Sequence, residues 1–288
     1  MHKLPDIPIV EIGPGSQPQD ENGELEYMTM PSSMETYHQP NLPEADECGD
    51  VTQAISVLEA VQRALNTYQA GNDAISFGLN DLDANSIDFI NQALGEGEVS
   101  ISHEENGLSP IKAQEAVLAG IWRVQHFNAD GAVIRDTIEV GEVPHMVRHD
   151  TFANTDQVLD ESYDNNNPEI QNAPSLLVEL ADKLRSYQTG NEAHIVNLSL
   201  LPLSPTDLAL LGERMGVGPV TILSRGYGNC RIGSTAKRNG WWIKFYNSQD
   251  ALILNTIEIV DIPSVAIAAP EDIADSADRL NEILEMYR

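Results

Sequence analysis

The sequence predicts an α+β fold written twice in tandem, each copy running helix, strand, helix, strand and then paired strands. Three observations carry this. The string "RDTIEVGEVP" (residues 135–144) returns as "LNTIEIVDIP" (254–263). Upstream of these, "GIWRVQHFNADGAVI" from Gly120 meets "GWWIKFYNSQDALI" from Gly240, "LNTYQAGNDA" from Leu65 meets "LRSYQTGNEA" from Leu184, and "GEGEVSI" from Gly95 meets "GVGPVTI" from Gly216. All of the matches keep one order and one separation of roughly 120 residues, the size of an ordinary domain rather than of a solenoid unit. Thirdly, each copy switches from a helical to a strand period at the same point, which places helices on one side of a mixed or antiparallel sheet.

In the first copy a helix begins after Val51 with Ile55, Leu58, Val61, Leu65 and Tyr68 on one face and stops at Gly71. Its counterpart carries Leu176, Leu177, Leu180, Leu184 and Tyr187 and stops at Gly190. Short apolar strands follow, "AISFGL" and "AHIVNLSL". A second helix starts near Asn85 in one copy; in the other, Ser204 suits the N-cap and Pro205 the first turn. Then come a strand ("EVSI" or "PVTIL") and a β-rich region closed by a hairpin, with turns at 128–131 and 247–250.

The boundaries are an extended, acidic, proline-rich arm over 1–50, a first repeat over 51–150, a connector over 151–173, and a second repeat with a C-terminal helix over 174–288. That last helix, with Ile273, Leu280, Ile283, Leu284 and Tyr287 on one face, has no counterpart in the first repeat; it either closes the second repeat or bridges the two. Residues 58–140 and 177–259 are expected to superpose.

Charge narrows the function. The chain of 288 residues has 45 acidic side chains against 16 basic ones, a net charge of −29. It is repelled by phosphate backbones and anionic lipid, which argues against nucleic acid and membrane surfaces as partners. Such acidity serves solubility, or it suits a partner with basic regions, such as an unfinished subunit or an arginine-bearing leader. The N-terminus does not have the basic-then-apolar form of a secretory signal, and no apolar run approaches the ~20 residues needed to span a bilayer, so a soluble cytoplasmic protein is expected.

Most chemical motifs fail. "GPGS" near Gly13 lacks the lysine of a phosphate loop, GxSxG is absent, and His145 and His149, though at helical spacing, enclose no HExxH glutamate. Cys48 and Cys230 cannot supply a closed four-ligand metal site, so no metal or cofactor is expected, and no catalytic residue is assigned.

Two segments remain as binding candidates. In the arm, Glu26, Tyr27 and Met28 lie in a run that also holds Asp20, Glu21, Glu24, Met30, Met34 and Tyr37, sticky side chains in a polar tract that either docks along the body of the protein or forms a partner-binding arm that orders on contact. The other is "SRGYGNCRIGSTAKRNGWW" (224–242), where the two copies agree least. It gathers Arg225, Arg231, Lys237 and Arg238, with Tyr227, Cys230, Trp241 and Trp242, in a chain with few cations. Cys230 has two readings: a small apolar residue buried in a tight hairpin, or a thiolate whose pKa the flanking cations lower. On a strand Trp241 and Trp242 point to opposite faces, so one serves the core and the other is an interface anchor.

The strings "LSRGYGNCRI" and "WWIKFYNSQDALILNTIEIVDIP", with the N-terminal "GPGSQ", "ELEYMTMP" and "METY", resemble the HupH/HyaF/HoxQ family of hydrogenase expression and formation proteins over essentially the whole chain. Thr29 stands where that family has proline. The resemblance implies a non-catalytic accessory protein for an uptake nickel–iron hydrogenase. It would attend the iron–sulfur small-subunit precursor before the large subunit joins, with other maturation proteins as further partners. An alternative within the same pathway is a protein that itself handles iron–sulfur or a redox thiol through Cys48 and Cys230.

Overall fold

The computed structural model describes residues 49–105, 109–155, 158–164, 166–225 and 229–287. Apart from residues 49 and 50, the arm, with Cys48, Glu26, Tyr27 and Met28, lies outside them, as does Tyr227. The elements run α1 (Thr52–Thr67), β1 (Ile75–Gly78), α2 (Ala84–Leu94), β2 (Val99–His103), β3 (Ile111–Glu115), β4 (Ile121–Phe127), β5 (Val133–Val140) and α3 (His145–His149). They continue with α4 (Ala173–Ser186), β6 (His194–Asn197), α5 (Pro205–Met215), β7 (Val220–Ser224), β8 (Asn229–Ser234), β9 (Gly240–Tyr246), β10 (Leu252–Ile259) and α6 (Pro270–Glu285).

The repeated strings each solve a backbone problem. In the Tyr-Gln-x-Gly-Asn strings the tyrosine hydroxyl donates to a carbonyl four residues on, Tyr68 to Asn72 and Tyr187 to Asn191, while the glycine N–H (Gly71, Gly190) donates to a carboxylate beyond the hairpin, Glu142 or Asp261, at 2.8 Å. This ties each first helix to the end of its last strand. In the Gly-x-Gly strings the first glycine ends the helix at positive φ, +59° at Gly95 and +67° at Gly216. The second lies so close to the next strand that a Cβ on Gly97 would meet the Ala116 carbonyl oxygen at 2.3 Å, and one on Gly218 the Ser234 Oγ at 2.4 Å. Asn128 and Asn247 each accept two backbone N–H bonds across the hairpin turn.

The second helix is capped in both halves. Asp83 accepts the Ser86 N–H, and Ser204 forms a capping box with Asp207. Asp207 also accepts from the backbone of Gln171, Asn172 and Ala173, so one carboxylate anchors α5 and the start of α4. Burial pushes this carboxyl up, but those N–H donors with that of Ser204 outweigh it and hold it below the usual range.

All ten strands form a single sheet in the order β1-β5-β4-β3-β2-β7-β8-β9-β10-β6, and every pair is antiparallel. The order reads alike from either edge, each strand of the first half mirrored by its counterpart in the second. Thr137-Ile138-Glu139 and Thr256-Ile257-Glu258 hold matching places, each pairing with the edge strand of its own half.

Strand alternation divides the apolar residues between two faces. On one face α1, α2 and α6 cover Ile121, Ile138 and Val140, and α4 and α5 cover Val196, Ile257 and Ile259. On the other, a core shared by both halves gathers Ile101, Trp122, Val124, Val220, Ile222, Trp241 and Ile243 under Met146, Val147 and Ile262. His103 is buried beside this core, and neither ring nitrogen has a hydrogen-bond partner among the described residues.

The C-terminal helix follows the second half in sequence but packs on the first. Ile273, Ala277, Leu280 and Leu284 of α6 are buried with Leu58, Val61 and Phe89, and Tyr287 meets Phe89 edge-on at 4.8 Å. The connector crosses the other way, placing Leu159 and Ile170 on the core of the second half. Each half is thus closed by a segment that follows the other half or joins the two.

Leu280 and Leu284 are fully buried, so Leu280→Ala is expected to cost about 2–5 kcal/mol in urea unfolding; a loss under about 1 kcal/mol contradicts the seat of α6. Near the start of α6, burial raises the half-buried Glu115 to about 7, opposed by the Gly120 N–H and reinforced by Asp272 and Glu98. The folded state keeps this proton up to about 7 while the unfolded chain, at 4.5, releases it earlier. Stability is therefore expected to fall as pH rises between those values and to level off above them. Glu115→Gln should flatten this slope in denaturant titrations, and an unchanged slope contradicts the assignment.

Candidate partner-binding surface

Among the described residues the helical layers pack on the outer strands of their face, as far as Ile121 on β4 and Trp242 on β9, and no residue of their cores comes from the strands between, β3, β2, β7 and β8, which form the middle of a groove between α2 and α5. Side chains on this stretch follow from the register. Lys112 pairs with Ser102 and Gln125, Ser100 and Ser102 with Leu223 and Thr221 across the β2·β7 junction, and Arg231 with Leu223 and Lys244. Apart from Leu223 the floor is therefore polar and cationic, and apart from the exposed Lys112 these residues are half-buried. The walls touch it at both sides. Arg123 on β4 donates to Asn91 of α2, and a Cβ on Gly212 of α5 would lie 3.9 Å from the Trp242 ring.

The two ends of this groove differ in charge. At the β4 end Arg123 is engaged by Asp136 through contacts of 3.0 and 2.6 Å. At the matching place in the second half Trp242 donates its indole N–H to Asn255 at 2.5 Å, a neutral pair. Where the first half has Gln125, also bonded to Asp136, the second has Lys244. Burial and then the neighbouring Arg231 lower the Lys244 pKa, and its ammonium lies 5.5 Å from the Trp242 ring centre. Burial raises the pKa of Tyr246, with Arg231 opposing and Cys230 adding to the shift. The β8–β9 end thus joins two adjacent cations to Trp242 and Tyr246, residue types that carry interface energy.

The residues singled out in 224–242 separate. Arg231 and Trp242 lie on the groove floor, and Arg225 follows β7 with its N–H donated to Glu98. Trp241 faces the opposite side, fully buried against Phe152, and bonds the carbonyls of Val260 and Asp261; it is a core residue rather than an anchor. Lys237 and Arg238 occupy the β8–β9 turn, at the other end of β8 from Arg225, and the Lys237 ammonium donates to the Val158 carbonyl. Cys230 shares the buried face of Trp241, away from Arg231. Burial and then Glu258 raise its thiol to about 11, which argues against the thiolate reading, and Arg231 lies on the other face of the strand. Lys112 and Lys244 were missed in the sequence, although Lys244 stands two residues after Trp242 and so shares its strand face.

A second concavity lies on the opposite face, a cleft of about 300 Å³ lined by Ser76, Val124, His126, Arg135, Glu139 and His145 among others. Several of its polar groups are already engaged: Glu139 accepts the His145 N–H at 2.8 Å, and the His145 ring stacks at 4.2 Å on His149, itself 2.6 Å from Asp73. Among the described residues no group of three or more His, Cys, Asp or Glu side chains could hold a metal ion, and no helix is long and apolar enough to cross a membrane.

A raised Cys230 pKa has a direct readout. With Cys48 replaced by Ser, iodoacetamide at pH 8 is expected to alkylate Cys230 roughly a hundredfold more slowly in the native protein than in urea. Equal rates would contradict the buried, protonated thiol.

Comparison with known proteins agrees with the repeated topology. A family model described as the C-terminal conserved region of HupH hydrogenase expression protein matches twice, over residues 51–163 and 170–287. The chain is 45% identical to the hydrogenase expression/formation protein HoxQ of Cupriavidus necator, over 99% of this chain and 98% of that one. It is 43% identical to HupH of Rhodobacter capsulatus, over 98% of each, and 31% identical to the hydrogenase-1 operon protein HyaF of Escherichia coli, over 95% and 94%. At this identity over nearly full length, the chain belongs to the HupH family of hydrogenase expression/formation proteins.

Proposed function

We propose that this protein is a non-catalytic chaperone in hydrogenase maturation, one that holds the iron–sulfur small-subunit precursor of an uptake nickel–iron hydrogenase before the large subunit joins. Its two halves are read as a tandem duplication in which the second has specialised for binding. The observation that carries the reading is the groove between α2 and α5, where Arg231 and Lys244 adjoin Trp242 and Tyr246. Neighbouring cations with half-buried aromatics favour a protein ligand with acidic and apolar groups. The relatives' names, hydrogenase expression/formation proteins, supply the pathway. The net charge of −29 over the whole chain gives a long-range attraction to an arginine-bearing leader, which speeds encounter more than it tightens the complex. An iron–sulfur or redox-thiol role for Cys230 is disfavoured by its buried, protonated state.

Affinity capture from cells making the hydrogenase tests this. The tagged protein is expected to recover the small-subunit precursor without the large subunit. Arg231→Glu combined with Lys244→Gln, the latter giving the residue the first half already uses, should weaken capture about thirtyfold, or ~2 kcal/mol, with the thermal midpoint unchanged. Capture at wild-type affinity by a normally melting variant would place the partner on another surface.

A further inference from the structure

The groove floor is cationic in a protein whose net charge is −29. None of the ion pairs between described residues involves Lys112 or Lys244. Lys112 instead lies 5.5 Å from the Phe127 ring centre, much as Lys244 lies against Trp242. Such a floor suits an extended ligand that carries carboxylates next to apolar side chains. The chain itself contains one, "DENGELEYMTM" (20–30), with Asp20, Glu21, Glu24 and Glu26 ahead of Tyr27, Met28 and Met30. We propose that the groove binds this acidic segment of its own chain, which the partner must displace. The displacement part rests on the groove being the partner surface; the binding of the segment does not.

Position and length support this occupant. The described chain begins against the helix that walls the groove: the Asn85 side chain in the first turn of α2 donates to the Asp50 carbonyl at 3.0 Å, and Asn91 near the other end of the same helix contacts Arg123 on the floor. From Asp50 back to Glu26 an extended chain reaches up to ~80 Å, well beyond what is needed. Lys112 on β3 and Lys244 on β9 are four strand spacings apart, about 19 Å, and the segment from Asp20 to Glu26 spans about 20 Å when extended. Its carboxylates can therefore reach the row Lys112, Arg231, Lys244 while Tyr27 and Met28 meet Trp242 and Tyr246. Tethering favours this segment over a free acidic peptide through its effective concentration, in the millimolar range for a short flexible link.

Carbodiimide coupling of lysines to carboxylates in the full-length protein, mapped by mass spectrometry, tests the proposal. Besides Lys112 and Lys244 the described residues contain Lys183 on α4 and Lys237 in the β8–β9 turn, which serve as controls outside the groove. The expected result is coupling of Lys112 and Lys244 to carboxylates of 20–26 within one chain, at least tenfold more than at Lys183 or Lys237, and a tenfold loss in Arg231→Glu, which keeps both lysines. Equal coupling at all four lysines, none from the segment to the groove, or coupling found only between chains would each overturn it. The variant Glu21→Gln, Glu24→Gln, Glu26→Gln separates the two readings when precursor capture is measured beside coupling. Tighter capture supports displacement. Selective coupling in the wild type with unchanged capture in this variant leaves the segment in the groove and overturns displacement. Absent coupling together with weakened capture in Arg231→Glu overturns the segment alone and leaves the partner surface standing.

Discussion

Ile101 lies opposite Ile222 where β2 pairs with β7, and five residues on each strand join two five-stranded halves there. Both isoleucines are buried in the core that the halves share, next to Trp122 and Trp241. Their neighbours Ser100, Ser102, Thr221 and Leu223 necessarily face the other way and become the middle of the groove. A slip of one residue at this junction would bury the polar set and expose the apolar one, so the core holds the register and the register fixes the groove. The helices cannot close that middle, because each layer is committed to the outer strands of its own half.

Within this near-symmetric frame, a few positions separate the halves. Arg123 with Asp136 becomes Trp242 with Asn255, Gln125 becomes Lys244, and Lys112 becomes Arg231. Replacing a closed ion pair by an indole–amide pair removes a carboxylate from the floor, and adding Lys244 beside Arg231 raises its positive charge. Burial and then the neighbouring Arg231 lower the pKa of Lys244, and an incoming carboxylate would oppose that shift. On the buried face the substitutions run in the opposite direction. Phe245 stands where His126 lines the first half's cleft, and Leu254 stands where Arg135 does.

Much of the fold was legible because the repeated strings encode local backbone solutions. Tyr-Gln-x-Gly-Asn marks a helix stop tied to a carboxylate, Gly-x-Gly a helix end followed by close strand contact, and the Asn of each hairpin its turn. Strand alternation also foretold that one tryptophan of the pair 241–242 would serve the core. The joining of the halves through β2 and β7 was not legible, since edge pairing depends on backbone groups that every sequence has. Nor was the seat of α6, whose apolar stripe says that it packs but not on which half. The basic patch was half legible. Arg231 and Trp242 are where the strand period puts them, while Lys237 and Arg238 were grouped with them by proximity in sequence although β8 carries them to its far end.

Side-chain footprinting with hydroxyl radicals tests the groove as the binding surface most directly when the Glu21→Gln, Glu24→Gln, Glu26→Gln variant, whose own segment no longer competes for the groove, is compared free and in complex with the captured small-subunit precursor. Trp242, Tyr246 and Phe127 report on the groove, while Tyr163 and Met286 are exposed elsewhere. The account predicts that oxidation of Tyr246 and Trp242 falls severalfold in the complex, with Phe127 following and Tyr163 and Met286 unchanged. Unchanged oxidation of all three groove residues, with protection at Tyr163 or Met286, would contradict it.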